Sequence, residues 1–145
     1  MPRKVRELVE GGIYHVYNRG NDRRSLFREE SDFEIFRQRL LQAKEKFDLQ
    51  IYHYCLMSNH FHLLVRVEKG EDLPRFMHAL QLNYARYFKR KYRTVGHVFQ
   101  ERFRSPRIPE ESYYLQCGRY IAEPVNNFET LWSIIYSAKN LFNPL

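Results

Sequence analysis

The stretch SNHFHLLVRV sets His60 and His62 either side of Phe61 and then runs apolar. Residues two apart in a strand share a face. Phe61, Leu63, Val65 and Val67 therefore form one apolar face, and His60 and His62 stand side by side on the other. Two neighbouring imidazoles can hold one ion between them if oxygen ligands complete the shell, because two ligands are half of even a tetrahedral site. The alternative is a solvated or hydrogen-bonded pair on an exposed strand. The chain also has eleven tyrosines. A phenol has a pKa of about 10, so it must be positioned and assisted to act as a nucleophile near neutrality. Basic clusters complete the inventory: Arg19, Arg23 and Arg24; Lys89, Arg90, Lys91 and Arg93; Arg102, Arg104 and Arg107. As a set they suit phosphate contacts.

The elements that must position these groups follow from periodicity. GGIYHVYNRG alternates Ile13, His15 and Tyr17 with Tyr14 and Val16, which predicts a strand. RGNDRRSLF reads as a polar loop. Ser31 and Glu34 make an S-x-x-E capping box, and Phe33, Phe36, Leu40, Leu41, Ala43 and Phe47 predict an amphipathic helix over 31–47. LQIYHYCLM and HFHLLVRV, joined by Ser58 and Asn59, predict a tight hairpin. LPRFMHALQLNYARYFKRKY has helical spacing with basic residues crowding its C-terminal end. HVFQERFRS alternates as a half-exposed strand that Pro106 and Pro109 end, and EESYYLQCGRYIAE resumes a helical pattern. Strand, helix, strand, strand, helix, strand, helix predicts an α+β sandwich of the ferredoxin-like kind. Its first two helices would cover one sheet face and leave the other for function.

A length of 145 residues suits one domain, with 128–145 as an apolar tail around Trp132 that could serve as a cap or as an interface, the cap being expected. No run approaches the ~20 apolar residues of a membrane span. The start has no apolar segment of a secretory signal, and Cys55 and Cys117 sit in no metal or redox spacing, so a cytoplasmic protein with reduced thiols is expected. The net charge of +7 favours polyanionic partners, and 16% aromatic residues fit a surface that stacks unpaired bases, although many rings belong to the core.

CLMSNHFHLL resembles the HUH motif (His, hydrophobic, His) of the single-tyrosine transposases. GGIYHVYNRGNDRRSLF resembles the opening of the REP-associated tyrosine transposases, RTVGHVFQERFRS their motif after the second helix, and YYLQCGRYIAEPV their tyrosine-bearing C-terminal helix. The likeness runs to about Asn127. It implies cutting and rejoining of single-stranded DNA through a 5′-phosphotyrosine, on hairpins from repetitive palindromic elements, with His60 and His62 holding Mg²⁺ or Mn²⁺ as a Lewis acid. Related transposases act as dimers and the closer relatives as monomers.

By residue-by-residue match Tyr120 is the nucleophile, with Tyr113 and Tyr114 the next choices. The family places an Asn or Gln ligand four residues after the nucleophile, where this chain has Pro124. Glu123, at i+3 from Tyr120, is the expected substitute ligand. If the ligand position is instead held in register, Arg119 falls where the nucleophile belongs and the protein is inactive. DNA contacts are expected from Arg19, Arg23, Arg24, Lys89, Arg90, Arg93, Arg102 and Arg104. The rival readings are a non-catalytic domain that binds single-stranded DNA or RNA, and a nuclease using metal-activated water.

Overall fold

The structure is a computed structural model and describes residues 6–108. Its elements are β1 (Ile13–Arg19), α1 (Glu30–Glu45), β2 (Leu49–Met57), β3 (His60–Val67), α2 (Asp72–Tyr92) and β4 (Arg107–Ile108), with one 3-10 turn at Asn21–Arg23. The sheet order is β2-β3-β1-β4 and each pairing is antiparallel. Each helix therefore links two strands that have a third between them, which is the expected ferredoxin-like interleaving. Among the described residues no helix is long and apolar enough to cross a membrane.

Period-two burial sets the register. Tyr14, Val16 and Asn18 of β1 are buried while Ile13, His15 and Tyr17 are only half-buried. Phe61, Leu63, Val65 and Val67 of β3 meet Phe36 and Leu40 of α1 and Phe76, Leu80 and Tyr84 of α2 in one core. Phe61 packs against Phe36, with ring centroids 5.1 Å apart, and Phe36 against Tyr84 at 5.2 Å. The residue between the two histidines is thus clamped from beneath. The face away from the helices is not bare at its centre, since Leu64 and Cys55 are fully buried there.

Two local expectations are corrected. Helix α1 begins one residue before Ser31, and its capping box is formed by Glu29 and Asp32, not by Ser31 and Glu34. Asp32 wins because its carboxylate also takes hydrogen bonds from the Tyr87 hydroxyl (2.6 Å), Lys91 Nζ (2.7 Å) and the Tyr92 hydroxyl. These are tertiary partners that local spacing cannot show.

HVFQERFRS is also not a continuous strand. It touches β1 at single bridges, Gly20 with Phe99 and Tyr17 with Arg104, and regular pairing resumes only at Arg107–Ile108. Five residues, Gln100 to Arg104, span the interval that three cover on β1, Arg19 to Tyr17. The surplus bulges outward, and Asn18 Nδ2 donates to the stranded Glu101 carbonyl at 3.0 Å. Pro106 does not end the pairing: its carbonyl accepts from the His15 amide at 3.0 Å, a role open to proline on an edge strand.

Candidate functional site

His60 and His62 lie on the face away from the helices, opposite Arg19 and Tyr17 of β1 and Met57 and Cys55 of β2. The tight turn before them is tied down, with the Gly20 amide donating to the Asn59 carbonyl at 2.9 Å and the Leu26 amide to the Ser58 carbonyl at 2.6 Å. Close packing enforces glycine at 20, where a Cβ would come within 2.3 Å of the Arg24 carbonyl oxygen. The two imidazoles are perpendicular, with centroids 5.1 Å apart. His60 Nδ1 meets Asn59 Oδ1 at 2.8 Å. Burial disfavours its imidazolium and holds its pKa below the ordinary histidine value. A neutral ring is the form that binds a metal.

A third histidine joins them. His15 Nε2 lies 2.8 Å from His62 Nδ1, and burial likewise lowers the His15 pKa. Tyr17 stands beside both, its ring centroid 5.0 Å from His15 and 5.7 Å from His62. Sequence reading gave His15 no role. Its alternation with Tyr17 already signalled the correct face, but its meeting with His62 depends on the β1–β3 register.

His60 and Tyr17 open onto a cleft of about 670 Å³ walled by Arg19, Arg23, Arg102 and Arg104. Asn59, Gln100 and Glu101 also line it. The bulge after Gln100 carries Glu101 and Arg102, and the loop after β1 carries Arg23. That loop holds Asp22 and Arg23 at φ of 53° and 54°, a left-handed conformation uncommon for residues other than glycine. Glu101 lies 3.8 Å from Arg104, an exposed pair that leaves the cleft positive. Four of the expected DNA contacts thus gather beside His60, and four do not. Arg24 is half-buried beneath Gly20. Arg90 lines a separate cleft of about 290 Å³ on the helix layer with Arg39, Arg86 and Tyr87. Lys89 and Arg93 are exposed at the end of α2.

Tyr120, Glu123, Tyr113, Tyr114, Arg119 and Pro124 lie outside the described residues, as do Cys117 and the tail. Among the described residues no group of three His, Cys, Asp or Glu side chains is arranged to hold a metal ion. His60 and His62 fit a divalent ion as two adjacent nitrogen donors, and its remaining ligands must be supplied from elsewhere.

No curated protein matches the chain significantly. A REP-associated tyrosine transposase solved bound to a REP hairpin shares its fold, with a TM-score of 0.70, 17% identity, and 84% of this chain and 71% of that chain covered. A protein of Deinococcus radiodurans R1 described as a candidate transposase matches with a TM-score of 0.57 and 18% identity, over 83% of this chain and 95% of its own. The family model described as "Transposase IS200 like" matches residues 8–124, a span that includes the histidine pair, its arginine cleft and both described helices. The chain belongs to the IS200-like transposase family.

Proposed function

We propose that the chain cleaves and rejoins hairpin-containing, single-stranded repetitive DNA, as a REP-associated tyrosine transposase does. The observation that carries this reading is the perpendicular His60–His62 pair beside a cleft walled by four arginines. Arg19, Arg23, Arg102 and Arg104 would hold the phosphates of the unpaired strand, and Tyr17 offers a ring on which a base can stack. Lys89, Arg90 and Arg93 would contact backbone further along the hairpin. A Mg²⁺ or Mn²⁺ ion held by His60, His62 and Glu123 would polarise the scissile phosphate as a Lewis acid. The Tyr120 oxygen would bond to phosphorus as the bond from phosphorus to the 3′ oxygen breaks. The phenolic proton passes to water, and the 3′ oxygen leaves as a hydroxyl. Attack of a 3′-hydroxyl on the phosphotyrosine reverses the step and joins a strand without a nucleotide cofactor.

Denaturing electrophoresis of the protein with labelled hairpin DNA and Mn²⁺ tests this. A covalent protein–DNA band that vanishes in Tyr120→Phe is expected. Free cleaved strands would instead mark a water-using nuclease, and intact strands a binding domain derived from such a transposase. The binding domain is the second reading that Pro124 favours, since it stands where the family carries a metal-ligating side chain.

A further inference from the structure

We infer that His15 is a positioning residue that sets the tautomer of His62 and so selects which of its ring nitrogens faces a metal ion. The inference rests on the proposed metal site but comes from a different observation, the contact between His15 Nε2 and His62 Nδ1 at 2.8 Å. The planes of these rings differ by 26°, and their centroids lie 5.1 Å apart. That is the separation of two five-membered rings meeting edge to edge through such a contact, so this is an in-plane hydrogen bond and not face-to-face stacking.

A hydrogen bond between two neutral imidazoles has one donor and one acceptor. If His15 donates, His62 carries its proton on Nε2 and has no lone pair to offer on that side. If His62 donates from Nδ1, its Nε2 becomes the ligating nitrogen. Only the second arrangement is compatible with a metal between His60 and His62, and His15 is the group positioned to accept that proton. His60 is braced in the same sense, with Nδ1 against Asn59 Oδ1 at 2.8 Å. Both histidines of the pair are thus gripped at Nδ1 from outside the pair, so a shared ion would be bound through Nε2 of each. Partners of this kind fix ring orientation and raise ligand basicity. His15 is itself fixed by its backbone, whose amide bonds the Pro106 carbonyl at 3.0 Å. The edge segment after the bulge therefore helps to seat the histidine that seats the ligand.

Nitrogen-15 correlation spectra of the imidazoles, recorded without metal, read the tautomer directly. The wild type and His15→Gln, whose side-chain oxygen reaches about as far as Nε2, should show His62 protonated on Nδ1. His15→Asn, polar but too short, and His15→Phe should shift it to Nε2–H or to a mixture. Calorimetric Mn²⁺ affinity should fall about 10–100-fold in His15→Asn and His15→Phe and recover in His15→Gln. An unchanged His62 tautomer and unchanged affinity in His15→Asn would overturn the inference. A wild type that binds no Mn²⁺ would refute the metal reading instead, while the tautomer spectra still decide whether His15 acts on His62.

Discussion

Phe61 shows how a single side chain can serve a site it does not face. Its backbone carries the histidines on either side, while its ring is fully buried against Phe36. Truncation leaves a cavity under the start of β3 that its neighbours cannot fill without moving. Phe61→Ala should cost about 3–5 kcal/mol in denaturant unfolding. Phe61→Leu should cost less, while still weakening Mn²⁺ binding through loss of the clamp. Stability loss without any change in metal binding by Phe61→Leu would show that the pair keeps its geometry without the ring. At this scale the sequence was legible wherever alternation alone decides the outcome, as for the direction of His60 and His62. The partner of His62 was not legible, because nothing local states which strand lies alongside and in what register.

At the scale of elements, the two helices are locked together where α1 starts and α2 ends. The buried Asp32 carboxylate takes hydrogen bonds from the Arg28 amide at 2.9 Å, the Tyr87 hydroxyl at 2.6 Å and Lys91 Nζ at 2.7 Å. Burial alone would raise its pKa, but the donors from Lys91, Tyr87, Tyr92 and the Arg28 amide outweigh burial and hold it below the ordinary aspartate value. A carboxyl with a lowered pKa in the folded state stabilises the protein above its unfolded pKa of about 3.9 and loses that contribution as pH falls through the folded value. Wild-type stability should therefore decline on acidification below about pH 4, and Asp32→Asn should flatten that decline as followed by thermal unfolding. At neutral pH the variant should cost about 3 kcal/mol, the low end for breaking a buried ionic pair, because Lys91 stays partly solvated. A variant as stable as wild type at pH 7 would rule out the lock. Helix existence was legible from the spacing of Phe33, Phe36 and Leu40, and of Phe76, Leu80 and Tyr84. Helix start was not, because Tyr87, Lys91 and Tyr92 choose Asp32 from more than fifty residues away in sequence. The failed continuous strand over HVFQERFRS has the same origin: a bulge against β1 divides it, and the buried Val98 and Phe103 lie five residues apart instead of alternating.

For the molecule as a whole, the net charge of +7 predicts affinity for polyanions, and the fold divides the basic side chains between a cleft beside His60 and the helix layer. For a short unpaired DNA, binding should weaken linearly in log salt by about 0.7 per phosphate neutralised. Arg102→Ala should reduce that slope by nearly one contact, whereas Arg90→Ala should leave it unchanged until a hairpin stem is added. Equal effects of both variants on the short strand would mean that the cleft is not the single-strand path. The sequence by itself determined the fold class, the hairpin that presents HxH, the face those histidines take and the basic character of the partner surface, since each follows from alternation, turn chemistry or charge read along the chain. Only the tertiary structure decided that His15 meets His62, that Asp32 caps α1, and that four arginines separated by most of the described chain share one cleft. Those contacts join residues distant in sequence, and strand order and register, not local pattern, bring them together.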